Sequence, residues 1–90
     1  YLLGKMFFNE GYYKRASLTL LDSESIGLPS EDLEMENLRI LGVSLFAVGD
    51  YNGAIKRFEQ ILDMSNKPSL RDYALDFTER CIWVRDRELK

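Results

Sequence analysis

Sliding the chain along itself by 38 residues sets Leu3, Gly4, Phe8, Gly11, Tyr13 and Ala16 on Leu41, Gly42, Phe46, Gly49, Tyr51 and Ala54. At the same offset Phe7 and Leu20 fall on Leu45 and Phe58, apolar on apolar. A self-match at one offset of a few tens of residues marks a repeat array, in which each unit is one supersecondary element stacked on the next. Ninety residues leave room for two such units and part of a third.

The apolar spacing within each unit is helical. Residues 2–10 carry Leu2, Leu3, Met6 and Phe7 at that spacing, with Asn9-Glu10-Gly11 as the stop. A second helix over about 12–22 places Tyr13, Ala16, Ser17 and Leu20 on one face, and 22–30, with Gly27 and Pro29, reads as a loop. Ser30 then reads as an N-cap, with Glu31 and Asp32 in the first turn of a third helix over 31–48 that presents Leu38, Leu41, Gly42, Leu45 and Phe46. Asp50 caps a fourth helix over 51–64, which carries Tyr51, Ala54, Ile55, Phe58, Ile61 and Leu62 and is broken by Ser65 to Pro68. Ser69 with Asp72 reads as an acidic capping box for a fifth helix over 70–88, with Leu70, Tyr73, Ala74, Phe77 and Cys81 in rhythm. The class is all-α: five helices in antiparallel pairs joined by tight turns.

Composition narrows the chemistry. A formal charge of -3 without a basic block opposes nucleic-acid binding. The absence of histidine removes the usual general base and zinc ligand, and the lone Cys81 permits no internal disulfide. Cys81 is read as a small apolar residue near the exposed end of the last helix. Glu31, Asp32, Glu34 and Glu36 lack the alternating ligands and glycine of a calcium loop and are read as helix-start electrostatics. No nucleophile elbow or phosphate loop is present, so neither an enzyme nor a cofactor or metal is expected. No apolar run reaches the roughly 20 residues of a membrane span, and the polar helix faces are not basic, so the chain reads as soluble, without membrane contact; the compartment is not readable, and intracellular is a guess.

Written out, Leu38-x2-Leu41-Gly42-x2-Leu45-x3-Gly49-x-Tyr51-x2-Ala54-x3-Phe58 resembles the tetratricopeptide repeat, a helix-turn-helix unit. Leu3-Gly4-x2-Phe7-x3-Gly11-x-Tyr13-x2-Ala16-x3-Leu20 looks like the same pattern with its start cut off. The resemblance implies a short right-handed α-solenoid: a truncated first unit over about 1–28, a second over 34–67, and a partial unit or capping helix over 69–90, as part of a longer array. Its packing positions imply that Gly4/Gly42 and Ala16/Ala54 are the small residues at each crossing, that Gly11/Gly49 turn the chain, and that Tyr13/Tyr51 and Leu20/Phe58 fill the wedge between pairs, with Leu3/Leu41 beside them. The family unit is 34 residues, so the loop 22–30 is expected to hold the extra four.

In such arrays the first helices line a concave groove for peptides. By position this groove takes Tyr1, Lys5, Phe8 and Asn9, then Arg39, Val43, Phe46 and Ala47, then Arg71, Leu75 and Thr78. The implied partner is a protein or peptide, acidic with apolar anchors, held by Lys5, Arg39 and Arg71. The alternative is that these are ordinary solvated charges. Chaperone-binding members hold a terminal carboxylate with lysine and asparagine, but the matching positions here are Tyr1, Lys5 and Val43, so that clamp is not formed. Trp83 is a candidate end-interface anchor or a satellite core residue. Self-association through the open ends, as in the tetratricopeptide subunits of cell-cycle ubiquitin-ligase scaffolds, and an accessory role beside a catalytic domain are the competing functions.

Overall fold

Glycine turns, polar caps and a proline cut the chain into helices, and the computed structural model, which describes residues 1–88, has five of them. These are α1 (Leu2–Asn9), α2 (Tyr13–Ile26), α3 (Glu31–Ala47), α4 (Tyr51–Met64) and α5 (Pro68–Glu88). No strand occurs among the described residues, and the chain is all-α. Residues 89–90, the end of the expected third unit, lie outside the described residues.

The two hairpin turns are copies of each other. Gly11 and Gly49 have φ of 84° and 91°, a left-handed conformation that glycine adopts without a Cβ clash. After each, a backbone N–H reaches back five residues, Tyr12 to the Phe7 carbonyl and Asp50 to the Leu45 carbonyl, both at 2.9 Å. With Gly11 bonded to Phe8 and Gly49 to Phe46, both at 3.1 Å, this is the Schellman arrangement that satisfies the last carbonyls of a helix. The units differ just beyond the turn. Asp50 accepts from Gly53 N–H at 3.0 Å and caps α4, while Tyr12 offers α2 no side-chain cap.

Two expected boundaries move. The loop over 22–30 is helical through Ile26, so α2 matches the 14 residues of α4 and only 27–30 connects to α3. The polar run Asp22-Ser23-Glu24-Ser25 lacks an apolar signal, but the Glu24 carboxylate receives two bonds from Arg57 of α4, at 2.9 and 3.2 Å, which hold that turn against the neighbouring hairpin. At the other end Pro68, expected to break the chain, is the first residue of α5, where its missing N–H leaves nothing unpaired. Ser69 therefore lies inside the helix instead of capping it, and Ser65 Oγ accepts from Lys67 N–H at 3.2 Å. Ser30 does cap α3, accepting from Leu33 N–H at 3.2 Å.

Consecutive helices pack against one another along the chain, in keeping with a small helical repeat. Ala16, Leu20, Leu41, Ala54, Phe58, Ile61, Ala74 and Cys81 have no exposed surface, so Cys81 sits in the core and not at an open end. Burial pushes its thiol above the ordinary range. The glycines of α1 and α3 make room for Leu20 and Phe58 before the alanines Ala16 and Ala54. A Cβ on Gly4 would stand 2.7 Å from Leu20 Cδ2, and one on Gly42 would stand 2.8 Å from Phe58 Cζ. Phe58 also stacks on Phe77 of α5 at 5.1 Å, joining its own crossing to the next helix. Of the two expected wedge tyrosines, Tyr51 is half-buried and Tyr13 is exposed.

α3 has a second buried face that the sequence reading passed over. Asn37, Ile40, Leu41 and Ser44 follow at i, i+3, i+4 and i+7, and all are buried. Asn37 Nδ2 donates to the Leu20 carbonyl at 3.2 Å, which sets this stripe against α2. Shifted back by 38, the stripe at 40, 41 and 44 falls on Leu2, Leu3 and Met6, which are 78, 52 and 47% exposed. Leu3, expected at a packing position, thus leaves about half of its surface open among the described residues.

Candidate interaction surface

The three basic residues expected to line a groove are held by other parts of the chain. Lys5 Nζ lies 3.0 Å from Glu36 Oε1, tying α1 to α3, and the Tyr1 hydroxyl donates to the same carboxylate. These two hydrogen bonds, Tyr1 first and then Lys5, hold the Glu36 carboxyl below its ordinary range. The bond to Glu36 correspondingly raises Lys5, and desolvation followed by that same carboxylate raises the Tyr1 phenol. Arg39 lies 5.8 Å from the centre of the Tyr73 ring, a cation–π contact from α3 to α5. Arg71 donates to the carbonyls of Leu62 and Ser65, the latter at 3.0 Å, and so closes the end of α4. Arg71 is thus a helix cap in this fold.

The aromatic members are placed by the repeat. Phe8 meets Tyr13 edge-on at 5.9 Å, and its counterpart Phe46 meets Tyr51 edge-on at 5.6 Å. Phe46 also touches Phe77 edge-on at 5.8 Å, a contact that joins α3 to α5. Val43 is half-buried, while Asn9, Ala47 and Leu75 are exposed. Thr78 gives its hydroxyl proton to the Ala74 carbonyl at 2.8 Å.

Two hollows lie beside α3. The larger, about 500 Å³, lies between the start of α3 and the α4–α5 turn, with Arg39, Glu36, Lys67 and Leu70 in its wall. The smaller, about 360 Å³, lies between the end of α3 and the outer side of α5, with Phe46, Trp83 and Val84. Arg39 and Phe46 belong to different hollows, and neither Lys5 nor Arg71 lines either one. Trp83 is 57% exposed, with the Arg87 guanidinium stacked 3.6 Å from its ring centre.

Among the described residues no group of His, Cys, Asp or Glu is arranged to hold a metal ion, and no helix is long and apolar enough to cross a membrane. Glu31, Asp32 and Glu34 occupy the first turn of α3, where the N-terminal end of the helix dipole favours negative charge. Sequence reasoning missed Glu36 as the link between α1 and α3. No signal within one helix could have shown it, because its partners lie 31 and 35 residues away. Comparisons with protein-family models, with curated proteins and with solved structures return no match.

Proposed function

We propose that this chain is a helical-repeat docking module, built on the plan of a tetratricopeptide array, that binds another protein and carries out no catalysis. The observation that carries this reading is the uncovered stripe on α1. Leu2, Leu3 and Met6 stand open, while the matching Ile40, Leu41 and Ser44 of the second unit are buried against α2. Repeat units obtain much of their stability from neighbours, so a unit with an open apolar face has an unmet demand for one. In the second unit that demand is met by a helix, and the element that covers α1, whether from another protein, a second copy or this chain beyond the described residues, is accordingly a helical one with an apolar stripe.

A photo-crosslinking residue in place of Leu2 tests this. It is expected to capture one partner, and Leu3→Glu with Met6→Glu is expected to abolish capture while leaving helicity intact. Capture that survives both charges would remove α1 from the interface. A second copy of the chain is the competing occupant, favoured by the absence of charged side chains at the three positions of the stripe. Sedimentation across a hundredfold range of concentration separates the two, since self-association raises the mass and the double variant lowers it again.

A further inference from the structure

We infer that a third hollow, between the end of α2, the start of α3 and the end of α4, is a seat for a primary ammonium group on an alkyl stem. It measures about 180 Å³, and Glu24, Glu34, Asn37, Leu38, Gln60 and Met64 stand in its wall. Asn37 is the most buried of these, at 1% exposed. Its Oδ1 is the one buried side-chain oxygen or nitrogen that lacks a hydrogen-bond partner among the described residues. The amide is fixed in this sense, because Nδ2 donates to the Leu20 carbonyl at 3.2 Å and a flip would set two acceptors face to face. An enclosed acceptor without a donor costs free energy, and a donor arriving from the hollow recovers it.

Charge and size select the donor. No lysine or arginine stands in this wall. Of its two carboxylates Glu24 is neutralised by Arg57 at 2.9 Å, whereas Glu34 makes no ion pair or side-chain hydrogen bond among the described residues. The wall therefore keeps one negative charge without a counterion, one helical turn before Asn37 on the same face of α3. A metal ion would need a cluster of acids that does not occur among the described residues. An ammonium needs less. Its N–H groups serve Asn37 Oδ1, the Glu34 carboxylate and the amide oxygen of Gln60, and its methylenes lie against Leu38 and Met64. Gln60 and Met64 are exposed side chains of α4, and such groups change rotamer within nanoseconds, which opens the way to Asn37. No residue of the α1 stripe lines this hollow, so Leu3→Glu with Met6→Glu leaves it unchanged.

The side-chain amide protons of Asn37 and Gln60 report on the hollow in a nitrogen–proton correlation spectrum. The full chain is titrated with butylammonium chloride and, at equal concentration, with tetramethylammonium chloride, which has the charge but no N–H. Butylammonium is expected to shift the Asn37 and Gln60 signals saturably, and tetramethylammonium is not. Glu34→Gln, at a half-buried position, is expected to weaken butylammonium about tenfold with circular dichroism unchanged. Asn37→Leu is expected to abolish the saturable Gln60 shift, and Glu34→Gln keeps the test open where that variant fails to fold. A peptide with one lysine, run beside the same peptide acetylated at Nζ, separates the two sources of such a group. Binding of the lysine form makes the seat one for a partner's side chain, and binding of butylammonium alone makes it one for a free alkylamine. No saturable shift with butylammonium, an equal response to tetramethylammonium, or an affinity untouched by Glu34→Gln would each overturn the assignment and leave Asn37 to water.

Discussion

The first and second hairpins share a signature and differ in what surrounds them. Both turn on a left-handed glycine with the same back-bonded carbonyls, and both seat a large side chain against a helical glycine. Yet Leu3 is half in water where Leu41 is fully enclosed, and Tyr12 gives no cap where Asp50 does. Among the described residues, the same local instructions thus yield an enclosed face in one place and an uncovered one in the other. In this fold, position in the stack decides how much each shared contact contributes.

Truncation at the two crossings gives the largest effects. Phe58→Ala removes a fully buried ring that serves two helices and is expected to cost about 4 kcal/mol, against about 3 for Leu20→Ala, by denaturant titration. Equal losses would mean that the contact of Phe58 with Phe77 contributes nothing. Leu41→Ala and Leu3→Ala form the sharpest pair. The first is expected to cost about 3 kcal/mol and the second within about 0.5, because one side chain is enclosed and the other is open. Similar costs at both positions would break the claim that α1 is uncovered.

The glycines come next. Gly42→Ala drives a Cβ into a ring with no room to turn and is expected to destabilise by about 2 kcal/mol, while at Gly4 the obstacle is a flexible leucine next to an open face and the cost falls to about 1. Better helix propensity of alanine offsets part of both. The smallest effect is electrostatic. The Glu36 carboxyl titrates lower when folded than its ordinary 4.5, so its contribution is present above that value and fades as the pH falls through the lowered one. Glu36→Gln should flatten the acid limb of a stability–pH curve, and an unchanged limb would mean that the link from α1 to α3 carries no weight. Lys5, raised above 10.5, contributes below that value and ceases to do so as the pH rises through the raised one.

The helices and turns were legible because their signals are local. The 38-residue self-match, the turn glycines, and the caps at Ser30 and Asp50 each act within a few residues of their place in the chain. What misled was settled by distant groups. Arg57 holds Glu24 in a helix that its polar neighbours would not announce, and Pro68 reads equally as a break or as a first helical residue. The contacts made by the basic residues were hidden for the same reason. Position along each helix placed Lys5, Arg39 and Arg71 on one surface, but side chains of their length reach Glu36, Tyr73 and the end of α4. The offset alone makes Leu2 and Leu3 read as buried like Ile40 and Leu41, and only the fold shows that they stand open.

The amide of Asn37 has a consequence for how this molecule comes apart. Its nitrogen is bonded to the Leu20 carbonyl, while its oxygen, shut away from water, meets no donor among the described residues. Among polar contacts, the first pair of helices is held to the rest by this one bond and, outside it, by Lys5 and Tyr1 on Glu36 and by Arg57 on Glu24. Removing Glu36 and Glu24 should therefore let the amide protons of α1 and α2 exchange sooner than those of α4.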